Sequence, residues 1–355
     1  MGYSTKSEKK KSVLPFVILG VVFLMGYMIF FPQILGRDFY FYPNKIHLLN
    51  QSSVLQNQQQ LQFPFLDTLG YWDPLRKQVQ FLNPLPGLKA GSQGYSYTEA
   101  PNETVLISSK GNKIVLSDTR QLNWIANRAF HITEDRLVLM EYDLEGKVLW
   151  KINMGVPITS LDANSSQTLV GLLDGRIGLL DAKGALSWEY RPSASRIEVI
   201  YNSILSKDGM YLVLISGVDP KRVVLIEKMG EGYRPVLSKP IEDQRRHPTP
   251  MGFLADDTYF FYDYGSGVIV KKLDGGWEWD IPLSGALFSA SLDPIRQLFT
   301  SVSYDRGRLE LSVVSLAGDR LVSIPFQSKR FDVKELEKYL FLGLEDRVME
   351  MEKSL

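Results

Sequence analysis

The sequence predicts an all-β fold, and three observations carry the prediction. Short apolar, β-branched or aromatic runs recur through residues 62–355, turn formers separate them, and a turn-plus-tryptophan unit repeats at intervals of roughly forty residues. The strand candidates are Thr104–Ile107, Lys113–Leu116, Leu137–Met140, Tyr211–Ile215, Val223–Ile226, Tyr259–Tyr262, Val268–Val270 and Leu309–Val314. Between them fall turns such as Asp208-Gly209, Asp274-Gly275-Gly276 and Ala317-Gly318-Asp319. The one helical candidate, Val333–Leu340, is short and serves equally well as the opening of a strand.

The repeat is read by laying the chain on itself. Asp143-Leu-Glu-Gly146-Lys-Val-Leu-Trp150 and Asp181-Ala-Lys-Gly184-Ala-Leu-Ser-Trp188 share one pattern, 38 residues apart (181 − 143). Asp118…Trp124 and Asp274…Trp279 read as shortened versions, and Glu227, Ser315, Glu352 and Asp73 as weaker anchors. An Asp-x-x-Gly turn folds one strand back on the next, the glycine supplying a positive φ. A tryptophan on the returning strand is large enough to fill the space between two sheets. A lone four-stranded sheet leaves both faces bare, so such units must stack side by side and close into a ring. Residues 62–355 allow about seven four-stranded blades at 42 residues each, with six or eight left open by the short interval from Asp118 to Asp143. Ring closure is expected to pair strands near Gly70–Trp72 and Gln78–Leu82 with strands near Tyr339–Leu344 and Arg347–Glu352.

This pattern resembles the PQQ-like and WD-repeat β-propeller families, above all the Asp-x-x-Gly-x-x-x-Trp blade ending of PQQ-like repeats. The Gly-His dipeptide of WD repeats is absent, and Trp72-Asp73 and Trp279-Asp280 are the only Trp-Asp pairs. In architecture the chain is similar to BamB-type propellers of outer-membrane protein assembly, a family anchored by a lipidated cysteine that this chain lacks.

The N-terminus gives an address. From Ser12 to Gly36 no residue is charged, and at about 1.5 Å per residue such a helix crosses a bilayer core. Lys9-Lys10-Lys11 precede it and no small-x-small cleavage site follows. The expectation is a basic cytoplasmic tail at 1–11, a transmembrane signal anchor at 12–36 in the inner membrane, a stalk at 37–61, and a propeller at 62–355 on the extracytoplasmic, periplasmic side. Phe39-Tyr40-Phe41-Tyr42 suits the headgroup interface or an ordinary strand, and six Gln within 50–62 suit a tether.

Composition narrows the chemistry. With 40 basic and 40 acidic residues the chain has no net charge to hold a nucleic acid. It has no cysteine, which excludes disulfides, thiol nucleophiles, iron–sulfur centres and the cysteine clamp of quinoproteins. His47, His131 and His247 are isolated, and no acidic run has the spacing of a calcium loop, so no metal or cofactor is expected. No phosphate-binding loop, nucleophile elbow or His-Glu-x-x-His occurs.

The most polar connector, Glu242 to Pro250, contains Arg245, Arg246 and His247, which read as partner contacts because Arg grips carboxylates in a fork. Substitution of Arg245 and Arg246 is expected to spare folding and weaken capture. The recurring Trp124, Trp150, Trp188, Trp277 and Trp279 read as blade fillers. The functional expectation is a non-enzymatic scaffold docking another envelope protein. The alternatives are a hydrolase or lyase acting on an envelope glycan, and a ligand sensor.

Overall fold

The computed structural model describes residues 41–48, 61–73, 78–81, 84–117, 121–243, 245, 247–336, 339–345 and 347–353. Every regular element among them is a β-strand, and the strands form eight antiparallel sheets. The basic tail, the apolar segment 12–36 and much of the expected stalk lie outside the described residues, among which no helix is long and apolar enough to cross a membrane.

The chain opens with β1 (Phe41–Leu48). The first blade holds β2 (Leu61–Phe65), β3 (Thr68–Asp73) and β4 (Gln78–Phe81). The second holds β5 (Lys89–Gly91), β6 (Gly94–Ala100), β7 (Glu103–Ser108) and β8 (Lys113–Ser117). The third holds β9 (Asn123–Ile125), β10 (Arg128–Ile132), β11 (Val138–Tyr142) and β12 (Val148–Asn153). The fourth holds β13 (Ile158–Ala163), β14 (Thr168–Leu172), β15 (Ile177–Leu180) and β16 (Leu186–Tyr190). The fifth holds β17 (Ile197–Leu205), β18 (Tyr211–Val218), β19 (Lys221–Met229) and β20 (Gly232–Ile241). The sixth holds β21 (Met251–Leu254), β22 (Tyr259–Asp263), β23 (Gly267–Lys272) and β24 (Glu278–Pro282). The seventh holds β25 (Ala286–Asp293), β26 (Leu298–Asp305), β27 (Arg308–Ser315) and β28 (Arg320–Gln327). The eighth holds β29 (Phe331–Leu336), β30 (Tyr339–Leu344) and β31 (Arg347–Lys353), completed by β1.

Seven four-stranded blades are thus formed, as the repeat predicts, and an eighth sheet, β2–β4, has three strands among the described residues. The helical candidate at Val333–Leu340 is strand. Two expectations are corrected. Residues 41–48, read as stalk, are the outer strand of the eighth blade, with Phe41 opposite Lys353 and Leu48 opposite Arg347. Strands β3 and β4 do not pair with the C-terminal strands; they belong to their own sheet and pack on the eighth blade through Trp72, whose ring lies 4.9 Å from Tyr339 and 5.7 Å from Phe341. The alternation in 41–48 is poor, so only its distant partner makes it a strand.

Each blade buries both faces, which explains the near-continuous apolar runs. Along β18, Leu212 and Leu214 pack with Leu169 and Leu179 of the fourth blade, while Val213 and Ile215 pack with Phe260 and Tyr262 of the sixth. Alternate side chains point to opposite faces of a strand, so one strand serves two interfaces.

Strands run up and down in turn. Blade-to-blade connectors and the turns between second and third strands therefore lie on one rim, the connector rim. Turns between first and second, and third and fourth strands, lie on the other, the hairpin rim. Because β1 pairs with the outgoing β31 at Lys353, the chain enters the ring at Phe41 from the hairpin rim.

The anchors follow this plan in part. Asp143 Oδ1 accepts the Glu145 and Lys147 N–H groups at 2.9 and 2.8 Å, and Asp181 Oδ1 accepts those of Lys183 and Ala185 at 2.8 and 2.9 Å. Gly146 and Gly184 take φ of 78° and 77°. A Cβ on Gly184 would stand 2.5 Å from the Trp150 ring, so the turn of the fourth blade is the seat for the tryptophan of the third. Trp188 spans the next interface, 5.2 Å from Tyr233, and Trp279 packs against Tyr259. Asp274, in the β23–β24 turn, pairs with Lys272 instead of closing the Asp-x-x-Gly hydrogen bonds.

Trp124 is corrected: it sits on the innermost strand β9, over Gly91 and Gly94 of the second blade, and its Nε1 donates to Ser96 Oγ at 3.0 Å. Asp118 lies outside the described residues. The true counterpart in the second blade is Ser108, whose Oγ accepts the Asn112 N–H at 3.2 Å. Trp277 is corrected too: it is 70% exposed and stacks on Trp279.

Candidate functional site

A cavity of about 590 Å³ opens on the connector rim of the fifth blade, lined by Tyr201, the Gly217–Lys221 turn, Ile241, Glu242, Asp243 and Arg245. Three segments meet here for topological reasons: the upper part of β17, the β18–β19 turn, and the connector that leaves β20 for the sixth blade.

Its floor is a buried ion cluster. Lys221 Nζ lies 3.1 Å from Asp243 Oδ2, with side-chain exposures of 4% and 1%. The same ammonium donates to the Arg245 carbonyl oxygen and sits 4.4 Å from the centre of the Tyr201 ring. Arg245 reaches across the cluster: Nε donates to Asp243 Oδ1 at 2.8 Å and a terminal nitrogen to Asp263 Oδ1 at 2.9 Å. Asp263 ends β22 of the sixth blade, and its Oδ2 also accepts the Leu287 N–H of the seventh at 3.0 Å. The Thr249 hydroxyl donates to Asp243 Oδ2 at 3.3 Å, and the Thr249 carbonyl accepts from Asn202 Nδ2 at 2.9 Å. Three blades are therefore tied through one connector.

Burial alone would raise the Asp243 carboxyl. Hydrogen bonds from Arg245 and Lys221 outweigh it and hold the group at about 2. The mouth is more open: Glu242 is exposed, and Asp219 pairs with Arg196 at 2.9 Å in solvent. The recess is rigid, polar and close to charge balance.

Of the expected contact residues, Arg245 lines the cavity, but its guanidinium fork is already filled by Asp243 and Asp263. The expectation that it is free to grip a partner, and that its loss spares folding, is corrected, because Asp263 would be left buried without a cation and Asp243 with Lys221 alone. Arg246 lies outside the described residues. His247 is exposed, its Nδ1 3.0 Å from the Pro248 carbonyl. Sequence reading missed Tyr201, Lys221 and Asp263. The available signal was weak: Lys221 opens, with Arg222, a strand whose middle Val223–Ile226 is apolar, and a lysine is rarely buried unless paired.

Among the described residues no three His, Asp or Glu side chains converge as a metal site.

With this geometry in hand, the relatives are informative about class. The chain matches over residues 6–354 the model of a family described as beta-propeller protein, and it belongs to that family. It is 23% identical over 354 residues to an uncharacterized protein of Treponema pallidum (strain Nichols), covering 96% of this chain and 93% of that one. Among solved structures it is similar to BamB from Moraxella catarrhalis, with a TM-score of 0.59 and 14% identity over 88% of this chain and 100% of that one. It is also similar to a chain of a mitotic checkpoint complex, with a TM-score of 0.55 and 11% identity over 99% and 98%.

Proposed function

We propose that this protein is a membrane-anchored, extracytoplasmic β-propeller that docks another envelope protein on its connector rim and performs no chemistry there. The carrying observation is the cavity of the fifth blade: a polar recess whose ions are locked to one another, leaving a preformed surface with Glu242 and Asp219 at its edge and the exposed His247 further along the same connector. Preformed recesses bind with little ordering cost. The similar propeller from a mitotic checkpoint complex belongs, by its name, to an assembly of proteins, which supports a docking role for the fold. The anchor rests on the uncharged segment 12–36 and its preceding lysines.

The glycan-hydrolase alternative needs a carboxyl whose pKa is raised so that it can donate a proton. The buried carboxyl of this cavity is moved the other way, to about 2.

The test is cross-linking of the full chain in its native membrane, followed by mass spectrometry of what co-purifies. One stoichiometric envelope protein is expected, lost in Glu242→Arg and His247→Glu variants that melt like the wild type. Recovery of the chain alone, or capture unchanged in both variants, overturns the proposal.

A further inference from the structure

The hairpin rim carries an unusual set of exposed apolar tips. Leu149 of the third blade, Leu186 of the fourth, Met229 of the fifth, Trp277 of the sixth, and Ile295 and Leu321 of the seventh all stand at or beside hairpin-rim turns, with exposures from 43% for Leu321 to 93% for Ile295. The connector rim offers Leu173 and Ile197, with Phe288, which packs on Phe331, and Ile46 close to it. Two of the hairpin tips are built, not merely loose. Trp277 is stacked on Trp279 with ring centres 6.5 Å apart, and Ile295 tops a turn whose Ile295 and Arg296 N–H groups both donate to Asp293 Oδ1 at 3.0 Å.

The carboxylates next to the Trp277 and Ile295 tips are paired, Asp274 with Lys272 and Asp293 with Arg296 at 3.6 Å, whereas Glu145, Glu231 and Asp319, beside Leu149, Met229 and Leu321, form no ion pair among the described residues. An aromatic and an aliphatic tip among neutralised charges suit the interface of a bilayer, where amphipathic rings settle and large apolar side chains leave water.

Chain length supplies the occupant. Phe41 enters the ring on this same rim, in the eighth blade, next to the seventh. Only residues 37–40 separate it from the uncharged segment 12–36. Four residues span at most about 14 Å when fully extended. We infer that the hairpin rim rests on the lipid surface, with Trp277 and Ile295 inserted at the headgroup level, so that the connector rim is presented away from the bilayer. This inference rests on the anchor reading of 12–36, and adds to it a second contact that fixes the orientation of the ring.

The chain contains no cysteine, so single labelling sites can be introduced without background. The full chain, carrying Trp277→Cys, Ile295→Cys or Leu173→Cys, is labelled with a polarity-sensitive dye and reconstituted in phosphatidylcholine vesicles. Circular dichroism confirms that each variant is folded. The expected result is a blue-shifted signal at 277 and 295, quenched several-fold by a lipid-borne nitroxide, and a water-like, unquenched signal at 173 on the opposite rim. A chain that floats with the vesicles after carbonate washing but reports water at all three positions overturns the rim contact and leaves the anchor standing. A chain that does not float overturns the anchor reading and the inference with it.

Discussion

A buried and a half-buried aspartate show how the same side chain is put to opposite electrostatic use. Asp243 faces Lys221 and Arg245, and their hydrogen bonds hold it at about 2 against the rise that burial would cause. Its contribution to stability is present above its ordinary value of 3.8 and is lost as pH falls toward 2. Asp162, on β13, has no cation. Burial raises it to about 6, opposed by the Leu205 and Ala163 N–H groups that its two oxygens accept at 2.7 and 2.9 Å. A carboxyl raised on folding contributes most below 3.8, and that contribution is lost as pH rises through 6. Asp162→Asn is therefore expected to remove a decline of about 3 kcal/mol between pH 4 and pH 7, on the basis of about 1.4 kcal/mol per unit. Urea unfolding across that range checks the slope, and a variant as pH-dependent as the wild type rejects the assignment. Neither role was legible in sequence. Asp162 is one acid among forty Asp and Glu, and its donor Leu205 and the Asp263 partner of Arg245 both come from other blades.

At the scale of the element, what was legible is what is local. The Asp-x-x-Gly turns at 143–146 and 181–184 could be read because the carboxylate caps N–H groups two and four residues on, and the glycine follows at a fixed place. Ser108-x-x-Gly111 and Ser315-x-x-Gly318 make the same turn with a hydroxyl, accepting the Asn112 and Asp319 N–H groups at 3.2 and 3.1 Å. That change of residue hid the turn at Ser108, although Ser315 could still be read as a weaker anchor, and let Asp118…Trp124 pass for a repeat. Trp150 and Trp188 have the same sequence signature but different burial: Trp150 is 8% exposed, whereas Trp188 is half-buried. Trp150→Ala should accordingly cost about 3–5 kcal/mol and Trp188→Ala appreciably less, since the first empties a closed site and the second a partly open one. Chemical denaturation of the two variants gives the order, and equal losses would mean that the seat on Gly184 adds nothing to the packing.

The whole molecule depends on a pairing with no local signature. A ring of blades has no free edge at its centre only if its last interface is made, and in this chain the eighth blade receives its outer strand from the beginning of the sequence. Strand β1 pairs with β31 from Phe41–Lys353 to Leu48–Arg347, and β31 in turn supports β30, whose Tyr339 and Phe341 meet Trp72 of the first blade. Removing β1 bares the edge of β31 and loosens the sheet on which the closing interface rests. It also removes the covalent route by which that sheet is tied to the first blade. A chain beginning at Phe41 retains the ladder and should melt with the full chain measured under the same conditions. A chain beginning after Leu48 should melt several degrees lower, or aggregate through the exposed edge, although the two differ by only the eight residues of β1. Adding a peptide of residues 41–48 should recover part of the loss as its concentration rises, because a segment that binds only the folded ring stabilises it by mass action. Indistinguishable melting of the two truncated chains would show that closure is carried by the aromatic contact of Trp72 alone, and that the strand contributed from the N-terminal side is dispensable to the ring.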